Sequence, residues 1–174
     1  GFSVPGGENQ ATGWSPVNVY VNNDRLKMAR WPNDETDTAM LKYENVTGDK
    51  NTASLGYPDA EGRTEKWFSQ AISDDAFVSA QDAYHWYSRI YQIKALDAEN
   101  RHFTLQRAME NDPKNTYNFF FFNILEEIDM PGESFLDKDN KVIYFYPATD
   151  LDGADIEVSK FDKTMINVSG ASNL

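Results

Sequence analysis

Hydrophobic positions recur with a period of two over short stretches of this chain, and no long segment has a helical period. Val17-Asn-Val-Tyr-Val21 alternates weakly and is β-branched. Asn22-Asn-Asp24 is turn material, because Asn and Asp tolerate positive φ. Arg25 to Trp31 reads as the returning arm of a half-buried hairpin. Its Leu26, Met28 and Arg30 alternate with Arg25, Lys27 and Ala29, and Pro32 stops it. Tyr87 to Leu96 alternates with apolar groups on both faces, which predicts a central strand. Asp97-Ala-Glu-Asn100 turns it and His102 to Gln106 returns. Tyr117 to Ile124 carries four consecutive Phe, so both of its faces are predicted to be covered. Leu125 to Ile128 fits one helical turn, ended by Met130-Pro-Gly132. Ser134 to Leu136 and Val142 to Tyr146 flank a third turn at Asp137 to Asn140. Ala154 to Ser159 and Thr164 to Val168 close the chain as strands.

The intervals are less regular. Residues 1–16 read as a loose lead-in rich in Gly and Pro. Thr38 to Val46 reads as one short strand, and Asn51 to Lys66 as a loop broken by Gly56, Pro58 and Gly62. Trp67-Phe68 and Asp75 to Ser79 read as short strands, followed by an aromatic turn from Ala80 to Trp86. Short strands at roughly ten-residue spacing predict an all-β fold, a β-sandwich or barrel of short antiparallel strands. The expected organisation is a lead-in over 1–16, a β-domain over 17–160, and a final strand or the start of another unit over 161–174.

Composition narrows the function classes. The 174 residues suffice for one domain with a core, and eleven Phe, nine Tyr and four Trp can fill it. A net charge of −12 without a Lys/Arg cluster argues against nucleic acid and anionic membranes as partners. The acidity fits a neutral partner such as a glycan. It disfavours an acidic polysaccharide unless a local patch overrides the total. The absence of cysteine excludes disulfide scaffolds, Cys-ligated zinc and thiol nucleophiles. It is compatible with an exported bacterial protein that does without disulfides. No stretch has the length of a membrane span. Gly1 reads as an artificial boundary, with any export signal already removed.

Three blocks resemble secreted carbohydrate-active proteins built on a right-handed parallel β-helix. The first is Gly13-Trp-Ser-Pro-Val-Asn-Val-Tyr-Val-Asn22 with Leu26-Lys-Met-Ala-Arg-Trp-Pro-Asn33, where Asn22-Asn23 replaces the usual Asn-Gly turn. The second is Trp67 to Leu105, with Phe77 and Trp86 at aromatic positions of the pattern and Asp82-Ala-Tyr84 in place of a Gly-Tyr-Trp turn. The third is Asn118 to Pro147, containing Asn123-Ile-Leu-Glu-Glu-Ile-Asp-Met-Pro-Gly-Glu133, with Ser134-Phe135 where Trp-Tyr is commoner. The group includes the α-1,3-galactosidase B family, certain β-xylosidases and pectate-lyase-like proteins. The resemblance implies a β-rich domain inserted before, or into the start of, the helix. Catalytic carboxylates would then lie on the β-helix, and the tail Ile166 to Leu174 resembles entry into its first coils. It also assigns structural places to Arg30, Pro32, Asn33, Pro131, Gly132 and Glu133. The β-helix of the same parent protein becomes the expected partner, and the location secreted, periplasmic or cell-surface.

Within the chain, Glu126, Glu127, Asp129 and Glu133 gather four carboxylates in eight residues. A glycosidase needs two carboxylates facing across a sugar. The structural alternative has Glu133 accept backbone N–H groups of its loop and pair with Arg30, while the others face water. Trp14, Trp31, Trp67 and Trp86 suit either sugar stacking or packing, and a sugar site is placed first at Trp86 with Tyr84 and His85. Asp150-Leu-Asp-Gly-Ala-Asp155 and Asp137-Lys-Asp139 hint at calcium, but neither loop closes with the required Glu and turn chemistry accounts for both. His85 and His102 lack zinc spacing, and no nucleophile elbow supports a Ser-His-Asp triad. No metal and no cofactor is expected.

Three functions follow: an accessory domain of a β-helix glycoside hydrolase or lyase, an autonomous carbohydrate-binding module, or a small complete hydrolase using the 126–133 carboxylates. The first predicts an uncovered apolar patch, with the four-Phe strand as its candidate edge. The second predicts a row of exposed Trp or Tyr.

Overall fold

The computed structural model describes residues 17–33, 39–58, 62–63, 76–83 and 87–159. The expectations for 1–16, Trp67-Phe68 and 161–174 lie outside them, as do residues 84–86 of the turn expected from Ala80 to Trp86; Ala80 to Ala83 of that turn instead continue the strand Phe77–Ala83, because they pair with the strand that begins at Tyr87. The regular elements are nearly all strands, so the chain is an all-β protein. β1 (Val19–Val21) and β2 (Asp24–Arg25) are joined by Asn22 and Asn23 at φ 52° and 70°, the backbone a two-residue hairpin turn requires. β14 (Ile156–Val158) pairs with the other edge of β1.

The arm expected as one strand from Arg25 to Trp31 is three: β2, β3 (Lys27–Met28) and β4 (Arg30–Trp31). Each belongs to a different sheet. β2 pairs with β1, β3 runs parallel to β12 (Glu133–Asp137), and β4 is antiparallel to β11 (Asn118–Phe122). The partner changes because successive amides meet different acceptors. Leu26 N–H donates to Val19 O at 2.8 Å, Lys27 N–H to Gly132 O at 2.9 Å, and Ala29 N–H to Ser134 O at 2.7 Å. Ala29 O then accepts from Asn123 N–H at 2.9 Å, which ties the same residue to the end of β11.

The largest sheet runs β4, β11, β8 (Phe77–Ala83), β9 (Tyr87–Asp97), β10 (His102–Leu105), β7 (Ser54–Gly56), β6 (Glu44–Thr47). β9 is central, as its two apolar faces predict. The segment 41–47 closes this sheet on itself, because β5 (Leu41–Lys42) pairs with β11 while β6, two residues on, pairs with β7. Tyr43 sits at the junction, and its N–H reaches Tyr117 O at 3.2 Å. The result is a barrel-like wall around an aromatic core. Tyr43 stacks on Phe119 at 4.6 Å between centroids, Phe103 meets Phe121 edge-on at 4.9 Å, and Trp31 stacks on Phe121 at 6.0 Å. Offset and edge-on geometries of this kind add to the area term for burying the rings.

The region expected as loop from Asn51 to Lys66 contains β7. Leu55 is fully buried there, and Gly56 is no breaker: a Cβ on it would lie 1.9 Å from Glu44 O, so glycine is what permits β6 to approach. The expected strand from Thr38 to Val46 is split at Tyr43 into β5 and β6.

Two further three-stranded sheets, β14-β1-β2 and β13 (Val142–Phe145)-β12-β3, pack against each other. Val19, Val21 and Leu26 from the first meet Ile143 and Phe145 from the second. This small sandwich joins the barrel through the crossing segment 24–31.

Candidate functional site

β11 is followed by Asn123, whose φ of 55° turns the chain out of the sheet. Its buried side chain acts as a substitute main-chain amide: Oδ1 accepts from Leu136 N–H at 2.9 Å and Nδ2 donates to Leu136 O at 3.1 Å. A single 3-10 turn, Leu125–Glu127, follows and carries the first two of the four carboxylates, Glu126 and Glu127.

Glu127 is buried. Its Oε2 pairs with Arg63 Nε at 3.2 Å, and Arg63 Nη2 lies 3.9 Å from Asp129 Oδ2. Asp129 also accepts from Asn33 Nδ2 at 2.7 Å. One guanidinium therefore draws two of the carboxylates together, and it lies 5.9 Å from the Trp31 ring centroid. Glu126 is half-buried beside them. Glu133 opens β12 and folds back on its own loop, accepting from the N–H groups of Asp129 and Met130, each at 3.0 Å, and from Arg30 N–H. Burial pushes the Glu133 carboxyl above its ordinary range; the three backbone donors oppose this and the nearby Asp129 charge reinforces it. Pro131 and Gly132 form the turn before it, with Gly132 at φ 90°. Pro32 follows β4 through a cis peptide bond. These groups shape the β11–β12 connection by binding protein donors.

Arg30 has a different role. Its Nε donates to Pro32 O at 3.1 Å, Nη2 donates to Ala39 O, and the guanidinium carbon lies 3.7 Å from the Phe120 ring centroid. Phe119 and Phe121 point into the barrel, so Phe120 and Phe122 point out of it. There they form the wall of a cavity of about 430 Å³ at the seam between barrel and small sandwich. Arg25, Lys27 and Met28 supply the other side.

Among the described residues, the exposed large hydrophobic side chains lie elsewhere. Val142, Tyr144 and Tyr146 alternate along one face of β13 and its continuation, 39%, 43% and 45% exposed, with Leu151 and Ile156 also exposed. The uncovered patch is thus on the outer sheet of the small sandwich, whereas the four-Phe strand has three buried rings and one half-buried. Trp31 is buried in the barrel core; Trp67, Tyr84, His85 and Trp86 lie outside the described residues.

His102 Nδ1 and Ser54 Oγ are 2.8 Å apart across β10 and β7. Asp97 lies close enough to feel the His102 charge, but both its oxygens are held by Asn100. Among the described residues no three His, Cys, Asp or Glu side chains cluster as metal ligands. The Asp137 oxygens are taken by Asn140, and Asp150 Oδ1 by Asp152 N–H. No described helix is long and apolar enough to cross a membrane.

Sequence reasoning did not find Arg63, which falls in a stretch read as loop, nor the seam cavity. The Tyr144-x-Tyr146 spacing was a legible signal for one strand face.

No family model matches the chain, and no curated protein does. A solved structure described as a glycoside hydrolase superposes with a TM-score of 0.62 at 15% identity. The match covers 82% of this chain and 26% of that one. At this identity the likeness is one of fold. This chain spans about a quarter of that protein's length.

Proposed function

We propose that this chain is an accessory domain of a secreted polysaccharide-degrading enzyme, a glycoside hydrolase or lyase, and packs on that enzyme's right-handed parallel β-helix to shape its cleft. The observation that carries the reading is the asymmetry of the fold match: most of this chain corresponds to about a quarter of a protein described as a glycoside hydrolase. The three sequence blocks that resemble β-helix enzymes support the same placement, with 17–160 as the accessory domain and 161–174 as the start of the helix. The uncovered row on β13 supplies an apolar face of the kind that interdomain packing uses. Glu127 and Glu133, committed to Arg63 and to backbone amides, favour a scaffold over a self-sufficient active site.

The test is turnover by the whole chain on a panel of aryl glycosides and polysaccharides, with Glu133→Gln in parallel. The expected result is no turnover by either. Hydrolysis by the chain that disappears in Glu133→Gln establishes the small complete hydrolase instead.

A second reading, an autonomous carbohydrate-binding module, draws on Tyr144 and Tyr146. Two exposed phenol rings on one strand face suit the C–H surface of a pyranose, with hydroxyls free for hydrogen bonds. Glycan-array binding that survives Trp86→Ala but is lost in Tyr144→Ala would support it and locate its platform.

A further inference from the structure

Val142, Tyr144 and Tyr146 form a row on a face that is held from beneath. Ile143 and Phe145 turn into the sandwich core, so the three alternate residues share the outer side of β13. Side chains two residues apart on a strand stand about 7 Å from one another. Tyr144 lies opposite Phe135, whose buried ring is 6.2 Å away between centroids. Tyr146 continues the pairing, its N–H donating to Glu133 O at 2.9 Å and its carbonyl accepting from Gly132 N–H at 2.7 Å. The two rings are therefore fixed by the sheet before any ligand arrives, which lowers the cost of ordering them. Among the described residues, neither phenol hydroxyl is engaged in a hydrogen bond.

Size and charge select the occupant. Two Tyr side chains and one Val, each about two-fifths exposed, leave on the order of 200–300 Å² of surface. Each partner in a stable protein complex contributes about 800 Å², so a neighbouring domain on this face must take most of its contact from outside the row. About two or three sugar rings match the row itself. No charged side chain lies between Val142 and Tyr146. The nearest carboxylates across the sheet are occupied: Asp137, paired with Val142, holds Asn140, and Glu133 is turned to the amides of Asp129 and Met130. An anionic glycan would meet a row without a cation, on a chain of net charge −12. Shape narrows the class further. Glycans with equatorial linkages run extended and can follow a strand, whereas an α-1,4-linked chain curls away from it. We propose that this row binds a neutral, extended glycan of equatorially linked pyranoses, with successive rings over Tyr144 and Tyr146 and a further one against Val142. The proposal rests on the carbohydrate-binding reading above and adds its ligand class and footprint.

The test is calorimetric titration of the whole chain with cellohexaose, xylohexaose and mannohexaose, which share equatorial links and carry no charge. Maltohexaose changes the linkage, and a β-1,4-linked glucuronate hexamer changes only the charge. At least one of the three neutral extended hexamers should bind about tenfold more tightly than both controls, and Tyr144→Ala and Tyr146→Ala should each weaken it about tenfold. Tyr144→Phe, which keeps the ring, should retain most of the affinity. Equal or tighter binding of maltohexaose overturns the extended class, and equal or tighter binding of the glucuronate hexamer overturns the neutral class. Binding of a neutral hexamer that both alanine variants leave unchanged overturns the row while the carbohydrate-binding reading stands. Absence of binding to every hexamer overturns the row and the binding-module reading together, and leaves the accessory-domain reading to the turnover experiment.

Discussion

The barrel and the small sandwich bury their side chains in opposite ways. Inside the barrel, Tyr43, Tyr57, Phe103, Phe119 and Phe121 pack ring on ring, and all are essentially inaccessible. The sandwich has a thin core of Val19, Val21 and Leu26 against Ile143 and Phe145. Its outer face leaves Val142, Tyr144 and Tyr146 in water. Both regions contain apolar residues, but the barrel encloses its rings inside a closed wall, whereas the outer face of the sandwich is open to solvent. The difference teaches where stability and adhesion reside: the barrel holds the fold, and the sandwich offers the surface.

The largest effect should come from emptying the barrel. Phe121→Ala removes a ring in contact with Trp31, Tyr57, Phe103 and Phe119, and should cost about 3–5 kcal/mol in denaturant unfolding. Next is the tie between the two regions. Asn123→Ala strands both the N–H and C=O of Leu136, and should cost about 2–3 kcal/mol by the same measurement. A loss below the error of the method would mean that the junction is held by other contacts.

The third effect is a pH dependence with a definite sign. Burial holds the folded pKa of Glu133 above its ordinary value of 4.5, so the folded chain keeps that proton longer than the unfolded chain does. The associated stability is complete below about 4.5 and is lost as pH rises through the folded value. Thermal unfolding across this window should decline less steeply in Glu133→Gln than in the parent chain. An identical slope would show that Glu133 does not titrate differently on folding.

The smallest effect on stability should be on the outer face. Tyr144→Ser and Tyr146→Ser should each shift unfolding by no more than about 0.5 kcal/mol. If Tyr144→Ser instead costs as much as Phe121→Ala, the division between a stabilising barrel and an adhesive sandwich fails.

Much of this division was legible in the sequence. The two-faced pattern of Tyr87 to Leu96 gave a central strand, and the alternation within 117–124 sends Phe119 and Phe121 inward and Phe120 and Phe122 outward. What stayed hidden depends on partners far along the chain. The period-two pattern from Arg25 to Trp31 is locally unbroken, so nothing local announces that Lys27 and Ala29 bond to Gly132 and Ser134. Gly56 reads as a breaker because sequence alone does not contain the carbonyl of Glu44 that needs its missing Cβ. The carboxylate loop could be found by composition, but its organising cation, Arg63, lies 64 residues from Glu127. Arg25, Lys27 and Arg30 are spaced along three short strands and meet at the seam only because those strands turn.

Two turns of this protein carry the same lock. In Leu96-Asp-Ala-Glu-Asn-Arg101 and Leu136-Asp-Lys-Asp-Asn-Lys141, the Asp accepts from both the N–H and the side-chain amide of the Asn three residues on. A cationic residue at φ 54° or 57° follows in each. Each lock joins residues only three apart, so it can form before any distant contact exists and fix the pairing of the strands on either side. One lock belongs to the barrel and the other to the sandwich. The two regions therefore each possess a local starting point for folding.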